Sequence, residues 1–341
     1  MAKSFFNLVI NGRQVKARPG DTLLDAALSA RIVLPHDCCS GQCETCRVRL
    51  VSGAVDDQGT AERDTVLGCL ATVEGDAEIT FDPVPVVRNN QAVLEAIRQI
   101  GPDLLEMKVR PARTVTWLPG QYVRLTFKGY PPRDYSPTFP MDLKREEGVM
   151  TFHVRRYPGG AVSGALGSGI RPGHKVTIRG PFGNAFLRRQ SERLVLVSTG
   201  TGFAPIWTMA VASVLGQPKR ALSVIAGARD ASQLYMKEAV DWLTARGVPV
   251  AMTASDGDGR IVRRERPSEL LSFVSPQDVV YAAGAPSQVE VIRRLALSRG
   301  ALFHADPFYA AEEKRSFAEM VMKPLRRIMP QSTEAGETRV S

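Results

Sequence analysis

Five cysteines occur in the chain, and four of them lie between positions 38 and 46. The fifth, Cys69, follows Cys46 after 22 intervening residues. Counted from Cys38, the series has the form C-x4-C-x2-C with a distant fourth cysteine, which is the spacing of a plant-type [2Fe-2S] site. Small and polar residues between the thiols leave backbone N–H groups free to point at sulfur. The sequence therefore predicts a two-iron cluster ligated by Cys38, Cys43, Cys46 and Cys69.

Two other interpretations of the cysteines remain open at this point. A four-cysteine zinc site more often shows two C-x2-C pairs, and a set of buried thiols would need no metal. Cys39 is left out of the ligand set, because the interval from Cys39 to Cys43 breaks the spacing. An odd number of clustered cysteines suits a reducing compartment, and the opening residues do not resemble a signal peptide, so we expect a cytoplasmic protein.

The residues around the cysteines predict a small sheet with one helix. Apolar residues alternate from Phe6 to Ile10, Asn11-Gly12 is a typical hairpin turn, and the chain returns through Gln14 to Ala17. Asp21 is expected to cap a following helix. The apolar face of that helix is predicted to be Leu23, Leu24, Ala27 and Leu28.

The charge is distributed unevenly along a chain that is too long for one core. At roughly 150 residues per domain, 341 residues predict two or three domains. Residues 1–82 carry 8 basic and 12 acidic residues, residues 83–305 carry 30 and 17, and residues 306–341 carry 6 of each. The net charge of +9 therefore belongs to the middle of the chain. No window approaches the ~18 apolar residues of a membrane span, and no nucleic-acid-binding motif occurs, so neither partner is expected.

The region after a proline-containing linker at 83–88 predicts a small antiparallel barrel. Short alternating stretches at 122–127, 150–154 and 175–178 are separated by Gly and Pro turns. Two segments in this region could bind a cofactor. One is Arg133-Asp134-Tyr135-Ser136, and the other is the glycine turn from Tyr157 to Ser163, after which a helix beginning near Val162 could offer N–H groups to phosphate.

Together these segments resemble the ferredoxin-NADP reductase superfamily, whose Arg-x-Tyr-Ser motif is matched by Arg133, Tyr135 and Ser136. The resemblance implies that Arg133 holds the pyrophosphate of FAD. It also implies that Tyr135 packs on the isoalloxazine and that Ser136 bonds near flavin N5, which makes these two the catalytic residues. The second phosphate contact would be formed by Gly160, Ala161, Val162 and Ser163.

Beyond Arg193 the pattern changes to aliphatic runs that alternate with helical stretches, which predicts a parallel sheet. The first run ends in Ser198-Thr199-Gly200-Thr201-Gly202-Phe203-Ala204-Pro205, where a pyrophosphate could meet the N-terminal end of a helix. The third glycine of G-x-G-x-x-G is missing. The segment resembles the Gly-Thr-Gly-x-x-Pro loop of the same superfamily, which implies nucleotide binding by Gly200, Thr201, Gly202 and Pro205.

The last aliphatic run resembles the Cys-Gly-x-Pro motif at the nicotinamide in that superfamily. Gly284 and Pro286 match it, but Ala283 stands where the family usually has Cys. The cofactor preference depends on Asp256, because a carboxylate would repel a 2′-phosphate and could accept a hydrogen bond from a ribose hydroxyl. NADH is therefore expected, and NADPH is the alternative because of the nearby Arg229.

The order of segments resembles the NADH-dependent reductase component of a Rieske-type multicomponent oxygenase, as in aromatic hydrocarbon catabolism. The implied fold class is α+β and α/β multidomain, and the expected domains are a β-grasp ferredoxin (1–82), a linker (83–88), an antiparallel β-barrel FAD domain (89–188), a parallel α/β NAD domain (189–309), and a helical extension with a disordered tail (310–341). The ending from Phe303 to Phe308 resembles that of such reductases, which implies that Phe308 lies near the flavin. Asp306 belongs to the same segment, and an ordinary surface turn is the alternative.

The expected activity is electron transfer from NADH through FAD and the cluster, one electron at a time, to a terminal oxygenase, directly or through a separate ferredoxin. The chain is expected to be a monomer. A reductase of a di-iron monooxygenase or of a sugar deoxygenation enzyme would show the same motifs. A protein of a different class, a redox-sensing regulator, would use the cluster as a switch.

Overall fold

The computed structural model describes residues 4–256 and 262–309. Its N-terminal domain is a five-stranded sheet in the order β2-β1-β5-β3-β4, with one helix packed against it. Strands β1 and β5 are parallel and the other pairs are antiparallel. The elements are β1 Phe6–Ile10, β2 Arg13–Ala17, α1 Leu23–Ser29, β3 Arg47–Asp56, β4 Thr65–Leu67 and β5 Thr72–Thr80.

The predicted hairpin is confirmed, and the predicted helix cap is wrong. Asn11 and Gly12 both have positive φ, at 47° and 79°, as the turn between β1 and β2 requires. The N-cap of α1 is Thr22, whose Oγ1 accepts a hydrogen bond from the Asp25 backbone N–H at 3.0 Å. Asp21 instead accepts from the backbone N–H of Arg18. The helix therefore starts one residue later than expected, and its exposed Leu28 does not belong to the buried face.

The second domain is a six-stranded antiparallel sheet in the order β10-β7-β6-β11-β8-β9. The strands are β6 Arg88–Gly101, β7 Leu104–Pro111, β8 Tyr122–Phe127, β9 Arg133–Tyr135, β10 Met150–Arg155 and β11 Lys175–Phe182. The Thr138 backbone N–H donates to the carbonyl of Thr151 at 2.8 Å, which links the chain after β9 to β10. This bridge joins the two edges of the sheet, so the predicted barrel is nearly closed.

The third domain is a parallel sheet in the order β14-β13-β12-β15-β16, as expected. Its elements are β12 Arg193–Thr199, α2 Phe203–Gly216, β13 Leu222–Asp230, α3 Lys237–Thr244, β14 Val250–Asp256, β15 Asp278–Gly284, α4 Pro286–Ser298 and β16 Leu302–Pro307. The strand order reverses between β12 and β15, where sheets of this kind bind ligands. The segment from Phe303 is thus largely a paired strand, not the surface turn that was the alternative.

The described residues up to Phe308 form one compact unit. Residues 81–87 are irregular and connect β5 to β6. Within the described ranges, no helix is long and apolar enough to cross a membrane. The helical extension and tail predicted for 310–341 lie outside the described residues.

Candidate functional site

The cysteine-rich segment is a loop that leads from α1 into β3, and Cys69 faces it from the turn after β4. Cys46 and Cys69 are buried, whereas Cys38 lies at the exposed surface. The backbone N–H groups of Ser40 and Cys43 both donate to the sulfur of Cys38, at 3.4 Å. The loop therefore turns amide donors toward sulfur, as the spacing suggested.

The four predicted ligands form two contacting pairs. A hydrogen bond from the Cys43 thiol lowers the pKa of Cys38 to about 4, and the same contact raises the pKa of Cys43. The contact between Cys46 and Cys69 likewise raises the pKa of Cys46 and lowers that of Cys69. Two pairs of adjacent thiols fit a two-iron core, in which each iron takes two thiolates.

Cys39 belongs to neither of the two hydrogen-bonded pairs. Its backbone has a positive φ of 51°, and its thiol donates to the carbonyl of Asp37 at 3.9 Å. Partial burial is the main factor that raises the pKa of Cys39. The exclusion of Cys39 from the ligand set stays a prediction.

The Arg-x-Tyr-Ser segment forms β9 and the residue that follows it. The Tyr135 ring lies edge-on to Phe152, with 6.3 Å between the ring centroids, and burial raises its pKa. Ser136 is buried, and its hydroxyl donates to Oδ2 of Asp306 at 3.4 Å. Arg133 donates to the carbonyl of Pro132 at 2.8 Å. These residues fit FAD, because the Arg133 guanidinium suits its diphosphate and the half-buried Tyr135 ring and the Ser136 hydroxyl suit its isoalloxazine.

The second phosphate segment is a series of turns, so the helix expected near Val162 is wrong. The Tyr157 backbone N–H donates to Oγ of Ser163 at 3.3 Å, which folds the segment back on itself. The Val162 side chain fills the barrel core, and this burial holds the segment in place without a helix. Among the described residues, no hydrogen bond joins the Arg133 side chain to residues 159–163.

The two nucleotide motifs meet at the point where the strand order reverses. Residues Gly200–Gly202 form one turn of 3-10 helix, and α2 begins at Phe203 with Pro205 in its first turn. A Cβ on Gly202 would lie 2.1 Å from the carbonyl oxygen of Ala283, and a Cβ on Gly284 would lie 2.3 Å from that of Thr199. Only glycine permits this close approach of the two segments.

The end of β16 joins the flavin and nicotinamide segments. The backbone N–H of Phe308 donates to the carbonyl of Gly284 at 2.7 Å, while Asp306 accepts from the Ser136 hydroxyl. The Ala285 backbone N–H donates to Oγ1 of Thr199 at 2.8 Å. The structure therefore gathers Ser136, Gly284 and Phe308 around one strand end, with the methyl group of Ala283 buried beside them.

The residues expected to determine the preference for NADH or NADPH lie at the edge of the same sheet. Arg229 and Asp256 are both exposed near the ends of β13 and β14. Asp256 is paired in register with Asp230, whose carboxylate caps the next turn by accepting from the backbone N–H of Ser232 at 2.7 Å. The sequence did not single out Asp230. Two carboxylates thus lie side by side at this edge.

Sequence reasoning also missed how the ferredoxin domain is held. Asp37 is paired with Arg124 of β8, and the Gly183 backbone N–H donates to Oγ1 of Thr45 at 3.3 Å. On the other side, Arg293 of α4 pairs with Glu44 at 2.5 Å and with Glu62. The acidic total of the N-terminal residues and the basic total of the middle residues favour attraction between the domains, but only the fold selects these residues.

A ferredoxin sheet with paired thiols, a flavin-type barrel and a parallel nucleotide sheet define an iron–sulfur flavoprotein of the reductase class. Family models match all three regions: a 2Fe-2S iron-sulfur cluster binding domain at 8–74, an oxidoreductase FAD-binding domain at 91–186 and an oxidoreductase NAD-binding domain at 196–292. The chain belongs to the family of ferredoxin–NAD(P)+ reductase and electron transfer components of oxygenase systems.

The similarity to individual proteins extends over nearly the whole chain. The electron transfer component of xylene/toluene monooxygenase from Pseudomonas putida is 30% identical over 87% of this chain and 91% of its own length. The reductase component of the naphthalene 1,2-dioxygenase/salicylate 5-hydroxylase systems from Ralstonia is 29% identical, over 86% and 95%. The crystal structure of a cytochrome P450 reductase from Amycolatopsis has a TM-score of 0.67 and 27% identity, and the match covers 90% of this chain and 99% of that one.

Proposed function

We propose that this chain is the reductase of an oxygenase system and delivers electrons from NADH, one at a time, to a terminal oxygenase, directly or through a separate ferredoxin. The observation that carries the proposal is the joining of a cysteine loop, a flavin-type barrel and a nucleotide sheet in one compact unit. The relatives named as electron transfer or reductase components support it.

Each group of candidate residues would hold one of the three redox cofactors. When bound, NADH supplies hydride, FAD accepts two electrons and releases them singly, and the cluster passes single electrons on. Thiolates of the two pairs would hold the cluster. The remaining candidates are Arg133, Tyr135, Ser136, Gly160, Ala161, Val162, Ser163 and Phe308 for FAD, and Gly200, Thr201, Gly202, Pro205, Asp256, Gly284 and Pro286 for the nucleotide, with Arg229 if the nucleotide is NADPH.

The hydrogen bond between Ser136 and Asp306 would orient the flavin contact. The Asp306 carboxylate accepts a hydrogen bond from the Ser136 hydroxyl, with 3.4 Å between the two oxygens. The serine oxygen therefore keeps its lone pairs free for an N–H donor near flavin N5. Phe308 follows two residues later, and its backbone N–H is tied to Gly284 at 2.7 Å. The backbone of Phe308 is thus anchored at the strand end where the nicotinamide motif lies.

NADH is the proposed electron donor because the carboxylates of Asp230 and Asp256 lie side by side on neighbouring strands. A 2′-phosphate placed beside them would meet like charge, whereas a ribose 2′-hydroxyl could donate to either. We expect kcat/KM to be at least tenfold higher with NADH than with NADPH. In Asp256→Ser the ratio should fall, since one carboxylate is gone. A higher kcat/KM with NADPH in the unmodified protein would contradict the proposal and favour a role for Arg229.

The partner that we propose is a Rieske-type ring-hydroxylating oxygenase, because several relatives are named as components of aromatic dioxygenase systems. With a reduction potential of about −400 mV for the cluster and about −150 mV for a Rieske acceptor, the equilibrium constant for transfer of one electron favours the acceptor by roughly four powers of ten. Coupled turnover with purified candidate oxygenases tests this. Turnover with a monooxygenase alone would favour the second candidate, which the relatives from monooxygenase systems support.

The redox-sensor alternative makes a different prediction for the isolated protein. An electron carrier should reduce ferricyanide and cytochrome c rapidly with NADH, and without any added partner. Slow turnover accompanied by a ligand-dependent change of conformation would favour a sensor.

A further inference from the structure

One guanidinium joins the cysteine loop to the strand that carries the Arg-x-Tyr-Ser motif. Arg124 donates from Nη1 and Nη2 to the two carboxylate oxygens of Asp37, at 3.2 and 2.9 Å. It also donates from Nε and Nη2 to the two carboxylate oxygens of Asp134, at 2.7 and 3.1 Å. Asp37 directly precedes the predicted ligand Cys38, and Asp134 is the variable residue of the motif. The side chain therefore bridges two segments that are far apart in sequence.

The bridge is shielded from solvent on the ferredoxin side. The Asp37 side chain is 4% exposed, and the Tyr122 hydroxyl also donates to it at 3.0 Å. Arg124 lies over the Phe182 ring, with 5.4 Å between Cζ and the ring centroid. A charge-assisted, bidentate contact in such a site is stronger and more directional than an exposed ion pair.

A second contact holds the other end of the same loop. Thr45 directly precedes the predicted ligand Cys46, and its Oγ1 accepts from the Gly183 backbone N–H at 3.3 Å. Thr45 is 6% exposed. Asp37 and Thr45 thus fix the loop to the barrel at both ends, with Cys38 and Cys43 between them.

The barrel side of the bridge is fixed by strand pairing. Arg124 of β8 and Asp134 of β9 are direct partners in the antiparallel register. The hydrogen bonds to Asp134 come first among the causes that raise the pKa of Arg124, so the guanidinium stays charged and its plane is held by the strand pair. Arg133 and Tyr135, the proposed flavin contacts, flank Asp134 on the same strand.

We propose that Arg124 is a positioning residue for electron transfer within the chain: its bridge between Asp37 and Asp134 sets the separation and orientation of the cluster loop relative to the flavin strand. The inference rests on the proposed function. One electron leaves the reduced flavin and reduces the cluster, with no bond formed or broken. The rate of such a transfer falls steeply with distance, so a loosened bridge slows this step and leaves hydride transfer from NADH intact.

The test compares two acceptors in the protein loaded with FAD and cluster. We expect ferricyanide to take electrons from the flavin directly and cytochrome c to take them through the cluster. In Arg124→Gln we expect the ratio of cytochrome c to ferricyanide reduction to fall at least tenfold. In Arg124→Lys the fall should be smaller, because an ammonium keeps the charge but cannot pair with two carboxylates in fork geometry. Arg110→Gln is the matched control, since Arg110 pairs with Glu95 within the same barrel, and the ratio should not change.

Hydrogen–deuterium exchange gives a readout that does not depend on turnover. Backbone amides of residues 37–46 should exchange faster in Arg124→Gln than in Arg110→Gln, while flavin absorbance and visible cluster absorbance stay at the level of the unmodified protein. If Arg124→Gln does not retain both cofactors, Asp37→Asn decides the matter, because it removes the charge and leaves an oxygen for the Tyr122 hydroxyl. The same fall in the ratio is expected there.

An unchanged acceptor ratio and unchanged exchange in a fully loaded Arg124→Gln or Asp37→Asn protein would overturn the positioning role. Failure of the proposed function looks different, because the unmodified protein itself would then not reduce ferricyanide with NADH.

Discussion

The ferredoxin domain is held on two sides by arginines, and the two contacts are built differently. On the barrel side, Asp37 pairs with Arg124. On the nucleotide side, Glu44 and Glu62 each pair with Arg293 of α4 and also with Arg47 of the ferredoxin domain, at 3.2 Å for Glu44 and 3.9 Å for Glu62. The ion pair on the barrel side therefore depends on one guanidinium, beside the hydrogen bond from Gly183 to Thr45, whereas the carboxylates on the nucleotide side are shared between two guanidinium groups.

Burial and charge act in opposition in the nucleotide-side group. Burial alone would raise the pKa of Glu44, but Arg47 and Arg293 outweigh it and hold the pKa below its usual value. Burial would likewise lower the pKa of Arg293, and Glu44 and Glu62 raise it. A network of this kind tolerates the loss of one member better than an isolated pair does, because each remaining charge keeps a partner.

The largest expected effect is the loss of the cluster that the cysteine loop would hold. Cys38→Ser should abolish the visible absorption of the cluster, because one iron loses a thiolate, while Cys39→Ser should keep it. Absorbance spectra of the two purified proteins, at equal flavin content, are the measurement. Loss of the absorption in Cys39→Ser and its retention in Cys38→Ser would reverse the ligand assignment.

The next effect tests the contact that depends on one arginine. Arg124→Leu leaves the buried Asp37 carboxylate with the Tyr122 hydroxyl alone, so we expect the free energy of unfolding to fall by about 2 kcal/mol. This value is below the range for fully buried pairs because the Arg124 side chain is 25% exposed. The midpoint of urea unfolding of the loaded protein gives the change. A change below about 0.5 kcal/mol would show that the barrel contact contributes little.

A smaller effect is expected on the nucleotide side. Arg293→Leu leaves Glu44 and Glu62 paired with Arg47, so the cost should be about 1 kcal/mol in the same urea experiment. Arg294→Leu is the control on the same helix, because its exposed side chain pairs with Glu290 alone in the described ion pairs, and its effect should stay within about 0.5 kcal/mol. A larger fall in the free energy of unfolding for Arg293→Leu than for Arg124→Leu would contradict the predicted difference between the two contacts.

The smallest effect is that of salt. Both contacts are partly buried, and such pairs are screened much less than exposed ones. Between about 0.05 and 0.5 M NaCl, the rate of cluster reduction by the flavin should fall by less than about twofold, as followed by stopped-flow absorbance. A fall of tenfold or more would mean that long-range attraction between the acidic and basic regions, and not these specific pairs, positions the domain.

The sequence predicted the parts of the molecule that depend on local spacing. The intervals between cysteines, the Asn11-Gly12 turn and the aliphatic runs of the parallel sheet each carry their geometry in a few consecutive residues. The helix cap was wrong by one residue because Thr22 and Asp21 are both good caps, and only the path of the preceding chain decides between them.

Contacts between distant segments could not be predicted in the same way. Asp37, Arg124 and Asp134 are ordinary charged residues in sequence, and their meeting depends on the register of β8 with β9 and on the docking of a separate sheet. The helix predicted near Val162 failed for a related reason, since burial of that side chain in the barrel core overrides a local preference. Asp306 was noticed, but its partner Ser136 lies 170 residues away.

The ion pairs that hold the ferredoxin domain also limit how freely that domain could be exchanged between proteins. Its chain enters the barrel through one irregular connection at 81–87, which would make it an easy segment to replace. However, Asp37 and Glu44 belong to the cysteine loop itself, and Glu62 lies just before β4. A foreign ferredoxin grafted at this junction would need all three carboxylates to dock as the native domain does. The cysteine loop therefore encodes two kinds of specificity, one for iron and one for the flavoprotein that it accompanies.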